Sequence, residues 1–569
     1  MELLGDSAAA LIARLLRARG VERVFALCGG HIMPIWMCLD AEGIAIVGVR
    51  DERAAVHMAQ AHAEVTGGFG VALVTAGPGV TNAMTGIVNA HVSRAPVLVL
   101  SGTPPRPQEN RGALQDLDHT QLLRSVTRYA RTVREPALVL QELDEAISRA
   151  LGEGGEPGPA YLDFPTDTLR AEVPRPLQLG ERLRRKPAPV LLPSPELVAE
   201  AVELLWSARR PLVVAGRGAR GAGPQLMRLL DALGALYLDT GESRGLVPAQ
   251  HESFVGAVRG AAMAEADVVV TVGRRLDFQL AFGSPAVFGE AAFVRIADTP
   301  SELRDNRRGA VEILASPAHT LTALVAAAGD RIPATDRAWT SALRRRHEER
   351  AARLRAEMAG APAGRDGRMH PYRVLSALQE KLDGAGIAVI DGGDFLSFAR
   401  VGLSAPVMLD PGSLGCIGVG VPYGIAAALA CPDRNVLVAT GDGAFGFNAI
   451  ELDTAARYRA PVVIVVANNG AWQIEAHDQQ VTYGKVAGTR LQFSDHAAMA
   501  RAFGMYGERV ERPEDLAGAL ARAFAQRPAL LDVIVTPEAV SSDAKSGLAG
   551  VPDLQPLAAW DEAERRWRA

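Results

Sequence analysis

Residues 436–469 read VLVATGDGAFGFNAIELDTAARYRAPVVIVVANN, and this stretch decides the fold. The apolar runs 436–440 and 461–467 predict two buried strands, and the residues from 447 to 459 predict a helix between them. A strand, a Gly-Asp-Gly turn, a helix and a second strand are the repeating unit of a parallel α/β sheet. The stretch therefore indicates a doubly wound α/β domain.

The Gly-Asp-Gly turn and the asparagine pair that ends this stretch are typical of a metal-assisted phosphate site. Gly441 and Gly443 let phosphate oxygens approach the backbone, and the start of the following helix supplies free N–H groups. Asp442 and Asn469 follow neighbouring strands, so we expect their side chains to converge at one edge of the sheet. One carboxylate, one amide oxygen and the Ala471 carbonyl are hard oxygen ligands that suit Mg²⁺. The predicted metal ligands are Asp442, Asn469 and Ala471.

Composition and charge restrict the class of protein. The chain has 569 residues, of which 48% are hydrophobic and 22% charged, and a net charge of −5, so nothing favours nucleic acid or an anionic membrane as a partner. The four cysteines form no CxxC pair, which favours a reducing cytoplasm. No apolar run approaches the length of a membrane span.

Strand and helix patterns divide the chain into three α/β units and a tail. We predict domains at 1–170, 190–335 and 369–538, and the Pro- and Arg-rich segment 171–195 has the composition of a linker. Residues 539–569 show no strand pattern and one short amphipathic helix, and a disordered terminus is the alternative for this tail.

The first and third units share an internal pattern. Thr75-Ala-Gly-Pro-Gly, a helix and Arg94-Ala-Pro-Val match Thr440-Gly-Asp-Gly, a helix and Arg459-Ala-Pro-Val, with the spacing equal to within one residue. This match predicts two homologous Rossmann-like domains.

These motifs, together with GGHIMPI, RDERAAVHMA, VALVTAGPGVTNA and GALQDLD near the N-terminus, resemble the acetolactate synthase-like branch of thiamine-diphosphate enzymes. That branch includes benzaldehyde lyase, oxalyl-CoA decarboxylase and 2-hydroxyacyl-CoA lyase. The resemblance implies a pyrimidine-binding, a central and a diphosphate-binding domain, with thiamine diphosphate and Mg²⁺ as cofactors. It also implies a homodimer or homotetramer whose active sites lie at the subunit interface.

The resemblance assigns roles to four candidate catalytic residues. Glu52 would hold a proton at the cofactor's pyrimidine ring, and its alternative is a glutamate favoured by the helix dipole. His31 would face the substrate carbonyl, with a structural histidine as the alternative. Gln115 matches a glutamine that binds substrate or water, and its alternative is a surface loop amide. Glu475 follows the asparagine pair on a predicted helix, where it is either a second acid or base or a surface residue.

The cofactor contacts implied by the resemblance extend beyond the opening stretch. Gly393 and Asp394 follow the first strand of the third unit, and Ile417 stands where many relatives carry a methionine between the two cofactor rings. The complete predicted set is Glu52, Gly393, Asp394, Ile417, Gly441, Asp442, Gly443, Ala444, Asn469 and Ala471.

The central unit resembles its relatives least. In relatives this domain can hold FAD or ADP, with a Gly-Asp turn near its last strand, but this chain reads Leu-Ala-Ser-Pro at 314–317. Arg217, Arg275 and Asp298 remain candidates for binding ADP or the nucleotide of CoA.

The resemblance favours a carbon–carbon lyase that cleaves a 2-hydroxyacyl-CoA to an aldehyde or ketone and formyl-CoA, or runs in reverse as a carboligase. The tail matches in position a segment that closes over CoA, and Lys545 and Ser546 are candidates for contacting CoA phosphates. The alternatives are a benzaldehyde lyase-like carboligase, an acetolactate synthase acting on free 2-oxo acids, and a non-catalytic cofactor-binding subunit.

Overall fold

The computed structural model describes residues 6–153, 155–173, 189–382 and 384–569. In this part of the chain, three separate parallel sheets follow one another, which confirms the predicted class of three doubly wound α/β domains. The predicted linker falls largely on residues 174–188, which lie outside the described residues.

The first sheet has six parallel strands in the order β2-β1-β3-β4-β6-β5. These strands are β1 (Arg23–Ala26), β2 (Ala45–Gly48), β3 (Gly70–Val74), β4 (Val97–Thr103), β5 (Tyr129–Thr132) and β6 (Ala160–Pro165). The helices are α1 (Ala8–Ala18), α2 (Met33–Ala41), α3 (Glu52–Thr66), α4 (Pro78–Val92), α5 (His119–Leu123), α6 (Val139–Leu151) and α7 (Thr166–Arg170). Successive residues of β3 join two different apolar clusters, because helices cover both faces of the sheet.

The second sheet has five parallel strands in the order β11-β10-β9-β7-β8. They are β7 (Pro211–Ala215), β8 (Leu236–Leu238), β9 (Val268–Val272), β10 (Ala292–Ala297) and β11 (Val311–Leu314). The accompanying helices are α8 (Pro195–Ser207), α9 (Gly223–Leu233), α10 (Arg259–Glu265), α11 (Pro285–Phe288), α12 (Pro300–Leu303) and α13 (Pro317–Ala328), and the long α14 (Arg337–Gly360) leads to the third sheet.

The third sheet repeats the topology of the first, with the order β13-β12-β14-β15-β17-β16. Its strands are β12 (Ile387–Asp391), β13 (Val407–Leu409), β14 (Val436–Gly441), β15 (Val462–Asn468), β16 (Tyr506–Val510) and β17 (Ala529–Ile534). Its helices are α15 (Pro371–Gln379), α16 (Asp394–Gly402), α17 (Gly420–Ala430), α18 (Asp442–Asn448), α19 (Leu452–Arg457), α20 (Gln473–Tyr483), α21 (His496–Ala502) and α22 (Pro513–Ala525). Arg94 and Arg459 also share a left-handed backbone, with φ of 54° and 48°. Equal strand orders and equal backbone at the repeated motif support the predicted duplication.

The helix predicted from 447 to 459 was wrong in its bounds. The structure has α18 from Asp442, a 3₁₀ turn at Ala449–Glu451 and then α19. The helix breaks at Asn448, where φ is −132°, and the Asn448 amide donates to the Gly418 carbonyl at 2.6 Å. A tertiary hydrogen bond therefore outweighs continuous helical propensity at this residue.

The C-terminal tail is folded, which argues against a disordered terminus. It forms α23 (Ser542–Lys545) and α24 (Ala558–Arg568). Glu564 bonds to Ser284 beside α11, and the Gln555 amide donates to the Ala281 carbonyl at 3.3 Å. Trp560 packs against the apolar cluster of the second sheet. The tail thus leaves the third unit and is anchored on the second.

Candidate active site

The Gly-Asp-Gly turn lies at the carboxyl end of β14, beside the carboxyl end of β15. Gly441 pairs in register with Ala467, so the residues that follow the two strands are neighbours. The Asp442 carboxylate accepts the Gly470 N–H at 3.0 Å, and the Asn469 side-chain oxygen accepts the Ala471 N–H at 3.1 Å. The structure therefore brings the three predicted metal ligands to one short loop pair.

The chemistry of this loop pair suits a divalent cation. Burial raises the pKa of the Asp442 carboxyl to about 6, although backbone N–H groups oppose the shift. A cation would supply the opposite charge that backbone dipoles only partly provide. No group of three or more His, Cys, Asp or Glu side chains is arranged for a metal within the described ranges. The predicted ligand set is of a different kind, since only one of its three members is a carboxylate.

Trp472 lies against this turn and makes glycine necessary there. A Cβ on Gly443 would come within 2.6 Å of the Trp472 ring. The Phe447 and Trp472 rings meet edge to face, with centroids 6.3 Å apart. Side-chain packing, as well as access for phosphate, therefore excludes any other residue at Gly443.

Asp391, which the sequence analysis missed, anchors the loop that carries Ile417. Its buried carboxylate accepts N–H groups from Gly392 at 2.7 Å, Gly418 at 3.0 Å and Gly420 at 2.8 Å. Burial raises the pKa of Asp391 to about 6. The carboxylate therefore fixes the backbone on the C-terminal side of Ile417. Its position before Gly392-Gly393, at the end of a predicted strand, was a signal that could have identified it.

The two predicted cofactor-binding residues at the end of β12 have different neighbours: Gly393 lies beside Ile474, and Asp394 lies beside the tail. A Cβ on Gly393 would lie 3.0 Å from Ile474, and Ala444 is buried nearby. Asp394 instead faces the tail, because the Ser541 side chain and backbone both hydrogen-bond to its carboxylate. Burial raises the pKa of Asp394 to about 6 in spite of these bonds. The side chain of Asp394 thus holds the tail, and only its backbone remains a candidate for the cofactor.

Glu52 begins α3 and lies beside the glycine turn of the first sheet. Its carboxylate accepts the Asn82 amide at 2.7 Å, and a Cβ on Gly79 would lie 3.4 Å from its other oxygen. The Asp51 side chain caps α3 by accepting the Arg53 N–H at 2.9 Å. Asn82, on α4, is a partner of Glu52 that the sequence analysis did not name.

His31 and Gln115 meet on the other side of the same turn. The Gln115 side chain hydrogen-bonds to the His31 imidazole, while burial lowers the pKa of His31. Gln115 has a left-handed φ of 63°, and a Cβ on Gly77 would come within 2.9 Å of it. The structure thus gathers Glu52, His31 and Gln115 around residues 75–79.

His119 supports this turn and was also missed. Its Nε2 accepts the Gly77 N–H at 2.8 Å, and its Nδ1 lies 3.0 Å from the Asp163 carboxylate. A donor at Nδ1 and an acceptor at Nε2 define the neutral tautomer of a positioning histidine. Nothing in the sequence spacing links His119 to Asp163, 44 residues away on β6.

Glu475 lies on α20, close to Asp394 and Asp478. Burial raises its pKa, and the negative charge of Asp478 adds to this effect. A half-buried carboxyl with a raised pKa gives up its proton less readily than an exposed one. The structure therefore places Glu475 on the helix that contacts the tail, and its catalytic role stays a prediction.

The candidates for nucleotide binding in the second unit lie among buried and half-buried charged side chains. The Arg275 side chain pairs with Glu156, and the backbone N–H of Arg217 donates to Glu242 at 3.3 Å. Burial raises the pKa of Asp298. A small cavity where the three units meet is lined by arginines and also by the carboxylates of Glu64, Glu242 and Asp410. These carboxylates would repel a nucleotide phosphate, whereas the Arg217 Nε has no hydrogen-bond partner among the described residues, so ADP at this place stays a prediction.

The glycine turns, the asparagine pair and the glutamate that starts α3 define a class of cofactor-dependent enzyme. Residues 6–122, 198–324 and 395–533 match the N-terminal, central and C-terminal domains of thiamine pyrophosphate enzymes. The chain belongs to the thiamine pyrophosphate enzyme family, which confirms the predicted resemblance.

Individual relatives carry two kinds of name. "Acetolactate synthase large subunit IlvG" of Mycobacterium tuberculosis is 35% identical over 553 residues, covering 95% of this chain and 97% of that protein. "2-hydroxyacyl-CoA lyase 2" of Caenorhabditis elegans is 31% identical, covering 88% and 84%. "2-hydroxyacyl-CoA lyase 1" of Mus musculus is 30% identical, covering 94% of each. Within the described residues, no helix has the length and apolarity needed to cross a membrane.

Proposed function

We propose that this chain is a thiamine-diphosphate-dependent carbon–carbon lyase that cleaves a 2-hydroxyacyl-CoA into an aldehyde or ketone and formyl-CoA, reversibly. The observation that carries the proposal is the folded tail. Its helix α23 packs on α16 and α20, and Ser541 bonds to Asp394 between them. The exposed Lys545 lies on this segment, where it can meet a CoA phosphate. The relatives named as 2-hydroxyacyl-CoA lyases support the same substrate class.

Six of the predicted site residues have a place in this reaction. Bound thiamine diphosphate supplies the electron sink that carbon–carbon cleavage requires. Asp442, Asn469 and the Ala471 carbonyl would hold Mg²⁺ against the diphosphate, and Glu52 would hold a proton at the pyrimidine ring. His31 and Gln115 form one hydrogen-bonded pair that can donate to a substrate oxygen.

The tail would exclude water while the substrate is bound. It is anchored on the second unit by Glu564 and Gln555 and crosses α16 and α20 on the way. Water exclusion keeps proton transfer under the control of protein groups. We propose that the chain works in the cytoplasm as a homodimer or homotetramer, with active sites between subunits.

A second candidate is condensation of two free 2-oxo acids, which would make the chain an acetolactate synthase. It is favoured by the relatives with that name, which are 35% identical over 553 residues. A benzaldehyde lyase-like carboligase would use the same residues on free aldehydes. A non-catalytic cofactor-binding subunit is a weaker candidate, because Glu52, Asp442 and Asn469 are all present.

One experiment separates these candidates. Purified protein with thiamine diphosphate and Mg²⁺ is incubated with a panel of 2-hydroxyacyl-CoAs, with pyruvate and with benzaldehyde, and products are separated by chromatography. We expect formyl-CoA and the matching aldehyde from the CoA thioesters, and no product from the Glu52→Gln control. If acetolactate forms from pyruvate while the 2-hydroxyacyl-CoA stays uncleaved, the chain is an acetolactate synthase and the proposed lyase activity is wrong. Induced circular dichroism without any product would indicate the non-catalytic subunit.

A further inference from the structure

A short segment of the third unit forms hydrogen bonds to the part of the chain that precedes Glu52. This clamp segment, residues 449–458, comprises the 3₁₀ turn, α19 and Tyr458. The Tyr458 hydroxyl donates to the Ile46 carbonyl at 2.9 Å and accepts the Gly48 N–H at 2.7 Å. Arg457 donates to the Gly48 carbonyl at 2.5 Å. The clamp segment therefore supplies hydrogen bonds to the free edge of β2.

Glu451 extends this contact to the first turn of α3. Its side chain is fully buried, and one carboxylate oxygen accepts the Arg50 backbone N–H at 2.9 Å across the two units. The other oxygen accepts the Thr454 hydroxyl at 2.5 Å. Both oxygens are thus engaged, and the Arg50 amide lies two residues before Glu52.

A second contact holds the same turn on its other side. The Arg53 guanidinium donates to the Phe447 carbonyl at 3.0 Å. Glu52 lies between Arg50 and Arg53, so the third unit contacts the backbone before it and the side chain after it. Its carboxylate is left to Asn82 and to a ligand.

We propose that Glu451 is a positioning residue for Glu52: its carboxyl group fixes the backbone of residues 50–52 and so directs the Glu52 carboxylate. This inference rests on the proposed function of Glu52. The protonation state of Glu451 affects the strength of its bond to the Arg50 N–H, because an ionised acceptor makes a stronger hydrogen bond to an N–H group than a neutral one.

The charges around Glu451 make its protonation sensitive to neutral pH. Burial, with the negative charge of Asp51 added, raises the pKa of Glu451 to about 7. The charged residues on the two segments in contact are Arg50, Asp51 and Arg53 on the β2–α3 connection and Asp453 and Arg457 on the clamp segment. Of these, Asp51 acts on Glu451, whereas the Arg50 and Arg457 side chains pair with Asp453. Helix α17 carries no charged residue, and α18 carries only Asp442 at its far end.

The test measures deuterium exchange at C2 of bound thiamine diphosphate, from about pH 5.5 to about pH 8.5, by acid quench and NMR. Glu451→Gln keeps an acceptor for Arg50 but removes the titration. We expect its cofactor affinity to stay within about twofold, while exchange slows by about tenfold and loses its step near neutrality. Glu514→Gln is the matched control, because it makes the same change of charge in the third unit at an exposed position on the first turn of α22, and it should keep the wild-type profile.

A second measurement works without cofactor. In Glu451→Ala, the peptide that covers residues 46–53 should take up deuterium faster than in wild type, while peptides from the second sheet stay unchanged. Unchanged uptake there, or a wild-type pH profile in Glu451→Gln, would overturn the inference.

Glu52→Gln separates this inference from the proposed function. If Glu52→Gln slows exchange and Glu451→Gln does not, only the positioning role falls. If Glu52→Gln exchanges like wild type, the proposed function and the positioning role fall together.

Discussion

Asp391 offers the sharpest test of how the Ile417 loop is held. The substitution Asp391→Asn keeps the shape of the side chain but replaces one acceptor oxygen by a donor. That donor would face the N–H groups of Gly418 and Gly420, which the carboxylate now binds at 3.0 and 2.8 Å. Leaving one buried N–H group without an acceptor costs about 1–3 kcal/mol. We therefore expect Asp391→Asn to bind thiamine diphosphate at least about tenfold more weakly.

The same substitution has a predictable effect on stability against pH. The Asp391 pKa rises from 3.8 to about 6 on folding, so the folded state binds the proton more tightly than the unfolded state. The stability that this proton contributes is fully present below pH 3.8 and is lost as pH rises through 6. The whole change amounts to about 3 kcal/mol, of which about 2 kcal/mol falls between about pH 4.5 and about pH 7.5.

Urea unfolding of the cofactor-free protein at several pH values measures this difference. Relative to Asp391→Asn, wild type should lose about 2 kcal/mol of unfolding free energy across that range. Asp433→Asn, on an exposed loop of the same unit, serves as the control and should follow wild type. Parallel pH curves for wild type and Asp391→Asn would refute the account of a buried, proton-binding anchor.

Three further predictions concern the cofactor and the tail. Asp442→Ala should lose cofactor retention, because it removes the one charged group of the predicted metal-ligand set; full activity at ordinary Mg²⁺ and cofactor levels would contradict the assignment. Glu52→Gln should bind thiamine diphosphate but slow C2 proton exchange by orders of magnitude, each factor of ten corresponding to about 1.4 kcal/mol in the barrier. Truncation before Ser541 should leave cofactor binding intact while raising KM and lowering kcat for acyl-CoA substrates, and unchanged kinetics on every acyl-CoA would remove the closing role of the tail.

The local chemistry of the site could be predicted from sequence because neighbouring residues carry it. Gly441-Asp442-Gly443 and Asn468-Asn469 each follow a run of buried β-branched residues, and parallel strands place their carboxyl ends at one edge. The fold class follows from the same alternation of strands and helices. The repeated Arg-Ala-Pro-Val motif likewise predicted the topology that the first and third sheets share.

The supporting contacts could not be predicted, because they join residues with no fixed spacing. Glu451 reaches the Arg50 amide across 401 positions, and His119 meets Asp163 across 44. Periodicity and turn chemistry act over a few residues, whereas the partner of a buried carboxylate depends on which helices pack together. The sequence by itself therefore determined the fold class and the positions of the candidate groups for a diphosphate and a metal. Only the tertiary structure decided what holds them in place, since long-range packing sets the partners of buried polar groups.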